Sequence, residues 1–139
     1  MVRASGYPVE RHTARTDDGF LLTVFRIPRP GRPAVFLMHG ILSSSADFVF
    51  LGKGRALALL LHDAGYDVWM GNARGTTESR RHERLRPDQA AFWDFSWHEI
   101  GTLDVPACVD LVLRRTRQSA LHYVGHSQVS RHRTLIFLQ

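Results

Sequence analysis

The sequence predicts an α/β fold in which a β-hairpin is followed by strand, helix, strand, helix and strand. Short apolar runs at residues 34–38, 66–70 and 120–124 are typical of buried strands, and the segments 52–64 and 104–117 between them are typical of helices. Because a helix joins each of these strands to the next, the later strands are expected to be parallel. The chain has 139 residues and shows no internal repeat, so we expect one domain.

The first two strands form the predicted hairpin. Residues 9–16 alternate weakly between polar and apolar types, and the apolar segment 20–27 follows the turn signal Asp17-Asp18-Gly19. The next segment, residues 28–33, holds three prolines and a glycine, which cannot sit in a helix or a central strand. The continuous apolar run at 34–38 then suits a strand that is covered on both faces.

Local end signals bound the two predicted helices. The first, residues 52–64, is expected to close at Gly65, which suits a helix C-cap. The second is expected to begin at Asp104 as its N-cap, with Pro106 in the first turn, where a missing N–H does little harm. It ends among the arginines of residues 114–117, because cations stabilise a helix C-terminus.

The segment 76–96 has little periodicity and is predicted to be an irregular excursion. It carries the densest basic cluster, residues 80–86, in a chain with a net charge of +5. Such basicity is compatible with a nucleic-acid or acidic partner. Acidic residues interrupt the cluster and aromatic residues follow it, so we interpret the segment as a solvated, partly ion-paired loop anchored on the core, and we expect no nucleic-acid partner. The acidic residues are Glu78, Glu83 and Asp88, and the expected anchors are Phe92, Trp93, Phe95 and Trp97.

Composition argues against a membrane-spanning protein and leaves the compartment open. The hydrophobic fraction of 44% is ordinary for a globular domain, and no run of about twenty apolar residues exists, so we expect no transmembrane segment. The N-terminus lacks the apolar stretch of a secretory signal peptide, which predicts either an intracellular chain or a missing start. The single cysteine, Cys108, cannot form an internal disulfide.

Ser127 is the predicted nucleophile. The segment Gly125-His126-Ser127-Gln128 follows the apolar run 120–124, and in this context a strand-to-helix turn can raise a serine hydroxyl above the sheet edge. The segment alone is common, and its bland interpretation is an ordinary strand-end turn.

A second segment supports the catalytic interpretation of Ser127. His39-Gly40-Ile41-Leu42 follows the run 34–38, where serine hydrolases of this kind hold one donor of the oxyanion hole. The other donor would be the backbone amide of Gln128. Two such N–H groups stabilise the negative oxygen of a tetrahedral intermediate. The alternative for His39-Gly40 is a plain turn that ends the strand.

Seven short motifs occur in order along the chain. They are Gly6-Tyr7-Pro8, Asp18-Gly19-Phe20, Leu37-Met38-His39-Gly40, Gly65-Tyr66-Asp67-Val68-Trp69, Gly71-Asn72-Ala73-Arg74-Gly75, Phe92-Trp93-Asp94-Phe95-Ser96-Trp97 and Gly125-His126-Ser127-Gln128. Together they make the sequence resemble the acid lipase family, which includes lysosomal acid lipase and gastric lipase. The resemblance implies that the chain is the N-terminal part of an α/β-hydrolase fold, truncated just after the nucleophile elbow.

The resemblance also implies a serine ester hydrolase. Carried over position by position, it makes Ser127 the nucleophile and the backbone amides of Leu42 and Gln128 the oxyanion hole. It implies hydrolysis of neutral lipid esters such as triacylglycerols and sterol esters, with a lipid–water interface as a partner surface and without metal or organic cofactor. It further implies a secreted or lysosomal setting.

Two departures from the family pattern bear on activity. Val129 stands two positions after the serine, where the family has glycine, and its branched side chain is expected to distort the elbow. The catalytic aspartate and histidine of the family follow the serine in the chain, and we expect neither among residues 128–139. We interpret His122, His126 and His132 as bystanders. The chain alone is therefore expected to be an inactive fragment, because no base activates its serine.

The family likeness stops at Gln128. We therefore divide the chain into a lipase-like portion, residues 1–128, and a tail, residues 129–139. The strand at 120–124 is expected to be an unprotected sheet edge with apolar neighbours. The alternative function is a non-catalytic interaction protein that binds a partner through this edge or through the basic cluster 80–86, and steep salt dependence of nucleic-acid binding would favour it.

Overall fold

The computed structural model describes residues 1–127, and in this part of the chain the strands form one mixed sheet of five strands. The strands are β1 (Glu10–Arg15), β2 (Leu21–Ile27), β3 (Ala34–Met38), β4 (Asp67–Gly71) and β5 (His122–Gly125). Their order across the sheet is β1-β2-β4-β3-β5. The predicted α/β class and the predicted order of elements are confirmed.

The predicted hairpin is formed by β1 and β2, which pair antiparallel over the full length of β1 and residues 21–26 of β2. The backbone N–H of Thr16 donates to the Phe20 carbonyl (2.9 Å), which closes the turn. Gly19 adopts a φ of 99° in this turn, a conformation that favours glycine. The turn signal in the sequence therefore lies where the chain reverses.

The strands β3, β4 and β5 run parallel, as predicted. Every residue of β3 and β4 is buried, which accounts for the continuous apolar sequence of these two strands. The hairpin joins them through an antiparallel pairing of β2 with β4. Among residues 1–127, no strand pairs with the outer edge of β5, where Val124 is 39% exposed, and this agrees with the predicted exposed edge.

The first helix, α1 (Leu57–Asp63), begins later than predicted. Gly52 and Gly54 adopt φ angles of 73° and 78°, which a right-handed helix cannot include, so the chain makes turns before the helix starts. The predicted end is correct. Gly65 adopts a φ of 103°, and its N–H donates to the His62 carbonyl, which satisfies one of the last helical acceptors.

The second helical segment begins well before its predicted start. It consists of α2 (Trp97–Glu99), a π-helical turn (Ile100–Asp104) and α3 (Val105–Thr116). The side chain of Ser96 accepts from the backbone N–H of His98, and the N–H of Ser96 donates to the Glu99 carboxylate, which is a capping box. The N–H and hydroxyl groups of Ser96 lower the pKa of Glu99 to about 2.

The prediction that Asp104 caps the second helix is wrong. Asp104 has helical dihedral angles and its side chain bonds to no helical N–H, because its carboxylate is engaged by Arg74. Pro106 lies in the first turn of α3, as predicted. The helix ends at Thr116, before Arg117, which adopts a left-handed φ of 56°.

The segment 76–96 is irregular, as predicted, and contains two short 3₁₀ turns. Phe92 is fully buried and Phe95 packs against the same core. Trp93 is 43% exposed but packs edge-to-face on Phe92, with ring centres 5.0 Å apart. Trp97 is 53% exposed and lies outside the apolar core, so the expected anchoring differs most at this residue.

The basic cluster 80–86 is partly neutralised. Arg86 pairs with Asp88 (3.0 Å), and the Arg80 guanidinium lies 5.4 Å from the centre of the Trp93 ring. Glu83 pairs with Arg15 on β1, which ties the loop to the sheet. This agrees with the interpretation of the segment as a partly ion-paired loop.

The two faces of the sheet carry separate apolar cores. One core lies between the sheet and α3, and the other lies between the sheet and α1. The central residues of the α3 side are Leu22, Phe36, Trp69, Phe92, Val109 and Val112, and those of the α1 side are Ile27, Leu37, Leu59, Val68 and Met70. No helix within residues 1–127 is long and apolar enough to cross a bilayer.

Candidate active site

Three loops meet at the carboxyl edge of the parallel strands. Residues 39–42 follow β3, residues 72–75 follow β4, and Ser127 lies shortly after β5. The backbone N–H of His126 donates to the Met38 carbonyl (3.0 Å), which continues the pairing of β5 with β3 up to the residue before Ser127. Open α/β sheets bind ligands at this edge, so the three loops form the candidate site.

Ser127 is exposed and has a left-handed backbone. Its φ is 61°, a region that residues with a β-carbon rarely adopt. A β-carbon built on Gly40 would lie 2.9 Å from Cβ of Ser127 and 3.0 Å from the carbonyl oxygen of His126. Only glycine lets the loops approach this closely. The predicted nucleophile therefore lies against the predicted oxyanion segment.

Leu42 shares the left-handed conformation, with a φ of 56°, and its side chain is fully exposed. Its backbone N–H donates to no other residue of the described chain. Non-glycine residues in this conformation store about 1–3 kcal/mol of strain and often cluster at functional sites. Within residues 1–127, the remaining non-glycine residue of this kind is Arg117, which ends α3.

Several predictions fall outside the described residues and stay predictions. They concern the oxyanion amide of Gln128, the distorting side chain of Val129, the bystander His132 and the tail 129–139.

His39 supports the predicted oxyanion segment from inside the protein. The ring is buried, and its Nε2 accepts from the backbone N–H of Ala73 (3.1 Å) while its Nδ1 lies 2.7 Å from the Gly40 carbonyl oxygen. An amide can only donate and a carbonyl can only accept, so these partners select the neutral ring with its proton on Nδ1. Burial lowers the pKa of His39, which also favours the neutral ring.

Asn72 joins the loop after β4 to β2 and to Ser45, which lies beyond the loop 39–42. Its Oδ1 accepts from the backbone N–H of Ser45 (3.0 Å), and its Nδ2 donates to the Thr23 carbonyl on β2 (3.1 Å). The side chain is fully buried. Because each amide group of Asn72 has a buried partner, removing the side chain would leave polar backbone groups unsatisfied.

Arg74 anchors the loop after β4 to the rest of the fold. Its guanidinium makes two hydrogen bonds to Asp18 (2.6 and 3.0 Å) and one to Asp104 (2.8 Å), and its backbone N–H also donates to Asp104 (2.9 Å). The guanidinium lies 4.2 Å from the centre of the Phe20 ring. Burial alone would lower the pKa of Arg74, but the two carboxylates raise it. Burial raises the pKa of Asp104 to about 6 against the charge of Arg74.

The roles of His39, Asn72 and Arg74 were not predicted from the sequence. The sequence signal that could have indicated the roles of Asn72 and Arg74 is the motif Gly71-Asn72-Ala73-Arg74-Gly75, which places an amide and a cation at the end of a buried strand. The partners of these side chains lie far away in sequence, so no local pattern identifies them.

A cavity of about 820 Å³ lies beside the loop 39–42. Its apolar lining residues are Ile41, Leu42, Trp93, Phe95, Trp97 and Ile100. Its polar lining residues include Asp47, Thr77 and Glu78. The cavity is large enough for a small organic ligand, and its apolar lining suits a hydrocarbon group.

Two further histidines, His122 and His126, lie near this edge of the sheet. His122 on β5 is exposed and stacks edge-to-face on Tyr66, with ring centres 5.7 Å apart. His126 precedes Ser127 and is also exposed. In the described part of the chain, no group of three or more histidine, cysteine, aspartate or glutamate side chains could hold a metal ion.

Comparison with known proteins gives two family matches. Residues 1–52 match a partial α/β-hydrolase lipase region, and residues 33–132 match the α/β hydrolase fold. Lipase 1 of Drosophila melanogaster is 52% identical over 128 residues, covering 92% of this chain and 29% of the relative. Human gastric triacylglycerol lipase is 44% identical over 136 residues, covering 92% and 34%. Human lipase member K is 44% identical over 131 residues, covering 88% and 33%.

The chain therefore spans about a third of the length of these curated relatives. Among solved structures, an esterase of Pyrococcus furiosus superposes with a TM-score of 0.69 at 17% identity, covering 99% of this chain and 48% of the esterase. An epoxide hydrolase of Vigna radiata gives a TM-score of 0.60 at 17% identity, covering 88% and 33%. At this level of identity, the two superpositions support the fold alone.

Proposed function

Because this chain belongs to the α/β-hydrolase fold family, in which its relatives are lipases of the gastric type, we propose that it is part of a serine lipase with Ser127 as nucleophile. The observation that carries the proposal is a pair of left-handed residues, Leu42, which lies two positions after Gly40, and Ser127, whose Cβ approaches Gly40. Ser127 and Leu42 both hold this strained backbone at the carboxyl edge of the sheet. Strain of this kind persists where the surrounding structure enforces it.

The proposed chemistry is acyl transfer through a covalent intermediate. The Oγ of Ser127 attacks the ester carbonyl carbon, and the carbonyl oxygen becomes negative as the tetrahedral intermediate forms. The N–H groups of Leu42 and Gln128 donate to that oxygen. The loss of one such donor slows a serine hydrolase by about 100- to 1,000-fold. No metal or organic cofactor has a role in this scheme.

The proposed substrates are neutral lipid esters such as triacylglycerols and sterol esters. The apolar residues that line the cavity would receive a hydrocarbon part of the ester. Of these residues, Ile41, Leu42 and Trp97 are each more than half exposed, so the same side chains would contact a lipid–water interface. A secreted or lysosomal setting belongs to the same proposal.

Residues 1–139 alone are proposed to lack ester turnover. In this enzyme class the acid and the histidine follow the serine in the chain, and neither role is assigned to a residue here. Without a base that accepts its proton, a serine hydroxyl is a poor nucleophile. A purified chain of 139 residues should therefore hydrolyse a short acyl ester no faster than its Ser127→Ala variant.

A chimera tests the nucleophile directly. Residues 1–127 would replace the matching segment of human gastric triacylglycerol lipase, which supplies the rest of the enzyme. We expect the chimera to hydrolyse tributyrin and expect Ser127→Ala to lower kcat by about 10⁴-fold or more. Ser119→Ala, in the exposed turn before β5, is the matched control and should leave the rate unchanged. Activity that survives Ser127→Ala would overturn the assignment.

A further inference from the structure

The exposed side chain of Leu42 cannot hold its own backbone in place. The residue is strained and its side chain contacts mainly solvent, so the position of its N–H must be fixed through the residues before it. The loop 39–42 has one buried side chain, that of His39, whereas Ile41 is 68% exposed and Gly40 has no side chain. The support of the loop is therefore concentrated in one ring.

The two hydrogen bonds of the His39 ring act on different parts of the site. The bond from Nδ1 to the Gly40 carbonyl fixes the plane of the peptide between Gly40 and Ile41, because a peptide group moves as a rigid unit. The bond from the Ala73 N–H to Nε2 fixes the ring itself. The ring thus links the loop after β3 to the loop after β4.

The loop after β4 is a firm support for the ring. Asn72 is tied to Thr23 on β2, and Arg74 is tied by charge-assisted hydrogen bonds that are buried at Asp104 and partly buried at Asp18. Ala73 lies between these two anchored residues. Its N–H therefore cannot shift without breaking buried contacts on both sides.

We propose that His39 is a positioning residue for the oxyanion hole, and that its ring, held by Ala73, sets the orientation of the Gly40–Ile41 peptide and through it the direction of the Leu42 N–H. The inference rests on the proposed function, in which the Leu42 N–H donates to the oxyanion. It requires the neutral ring with its proton on Nδ1. A protonated ring would present a donor to the Ala73 N–H, and the contact would be lost.

Charged groups around the ring bear on the pH at which this happens. Asp47, on the 3₁₀ turn Ser45–Phe48, favours the protonated ring, whereas burial opposes it and dominates. The Arg74 guanidinium beside Ala73 is engaged by two carboxylates. The ring should therefore stay neutral until the pH falls below its ordinary pKa of about 6.5.

Two substitutions separate the two bonds. The amide nitrogen of His39→Asn can replace Nδ1 and keep the bond to Gly40, whereas the amide oxygen of His39→Gln can replace Nε2 and keep the bond from Ala73. Amide exchange and chemical shifts of Ala73 and Leu42 are measured by NMR in the 139-residue chain. His98→Asn on the exposed face of α2 is the matched control.

We expect His39→Asn to speed exchange of the Ala73 amide by roughly 2- to 12-fold, the effect of losing one hydrogen bond, with little change at Leu42. We expect His39→Gln to keep Ala73 protected and to shift the Leu42 amide. In the wild-type chain, both amides should titrate in acid together with the ring nitrogens of His39. This last measurement needs no variant, so it decides the matter if the substitutions prevent folding.

A Leu42 amide that responds neither to His39→Gln nor to the titration of the ring would overturn the inference. In the active chimera, His39→Gln should lower kcat by up to about 100-fold and leave KM within a factor of about three. A rise in KM of similar size, with kcat unchanged, would also overturn the inference. The NMR measurements follow the loop without catalysis, so failure of the Ser127 assignment and failure of this inference are seen separately.

Discussion

Gly40 and Ser127 approach so closely that a β-carbon on Gly40 would contact Cβ of Ser127 at 2.9 Å. We therefore predict that Gly40→Ala displaces the Ser127 turn and lowers the free energy of unfolding by about 1–3 kcal/mol, as overpacking does. Urea unfolding and the amide shift of Ser127 measure the two effects.

Gly31→Ala is the control for Gly40→Ala. Gly31 has a φ of 78° and no neighbour near its missing β-carbon, so alanine there adds backbone strain without a contact. It should cost about 1–2 kcal/mol and leave the Ser127 amide unmoved. Equal shifts of that amide in both variants would show that the close approach does not hold the turn.

Arg74 pairs with Asp104 in the interior, so removing the Arg74 side chain should strongly destabilise the fold. Both side chains are essentially fully buried. We predict that Arg74→Met lowers the free energy of unfolding by about 3–5 kcal/mol, because it leaves the Asp104 carboxylate without its partner. The double variant Arg74→Met with Asp104→Asn should recover part of the loss. Urea unfolding of the three chains tests this, and additive effects of the two substitutions would contradict it.

The stability of the chain should depend on pH through Asp104. Burial raises its pKa to about 6 from an ordinary 3.8. A carboxyl group whose pKa is higher in the folded chain favours folding when protonated, so its contribution is complete below about pH 3.8 and is lost as the pH rises through about 6. The wild-type chain should therefore gain stability relative to Asp104→Asn as the pH is lowered from about 6.5 to about 4.

The comparison with Asp104→Asn cancels the opposite contribution of His39. The pKa of His39 is lowered, so the folded chain loses stability as the pH falls below about 6.5, in both proteins alike. Asp88→Asn, at an exposed carboxylate, is the control. A stability difference between wild type and Asp104→Asn that does not vary with pH would contradict the prediction.

The outer edge of β5 should promote self-association. Val124 is 39% exposed there, beside backbone groups that pair with no other strand of the described sheet. We predict that Val124→Lys lowers concentration-dependent self-association in sedimentation velocity experiments. Leu57→Lys adds the same charge on α1 and should have a smaller effect. Equal association of the wild-type chain and Val124→Lys would argue against pairing at this edge.

Local sequence patterns were sufficient for the sheet. The turn at Gly19 and the continuous apolar runs of β3 and β4 follow from backbone preference and burial, which neighbouring residues reveal. The candidate nucleophile could likewise be named because a strand leads straight into Ser127. These features depend on contacts within a few residues, so one sequence is enough to predict them.

The errors have identifiable physical causes. The predicted start of α1 is too early, because Gly52 and Gly54 adopt a left-handed φ that delays the helix. The predicted cap at Asp104 is wrong, although Ser96 and Glu99 have the spacing of a capping box. Asp104 was available to Arg74 only because the fold brings the two together across 30 residues of chain. Neighbouring residues in the sequence do not reveal a partner that lies 30 residues away.

The contacts of Arg74 join segments that lie far apart in the chain, and this bears on the order in which the fold assembles. The guanidinium reaches Asp18 across 56 residues and Asp104 across 30, so each contact forms only when the chain segment between its two partners has closed into a loop. Loop closure costs chain entropy that short-range pairing avoids. We therefore expect the hairpin and the individual helices to form early in folding, and the loop that carries Ala73 to become ordered only after distant segments have docked. The carboxyl edge of the parallel strands would then be a late region to assemble.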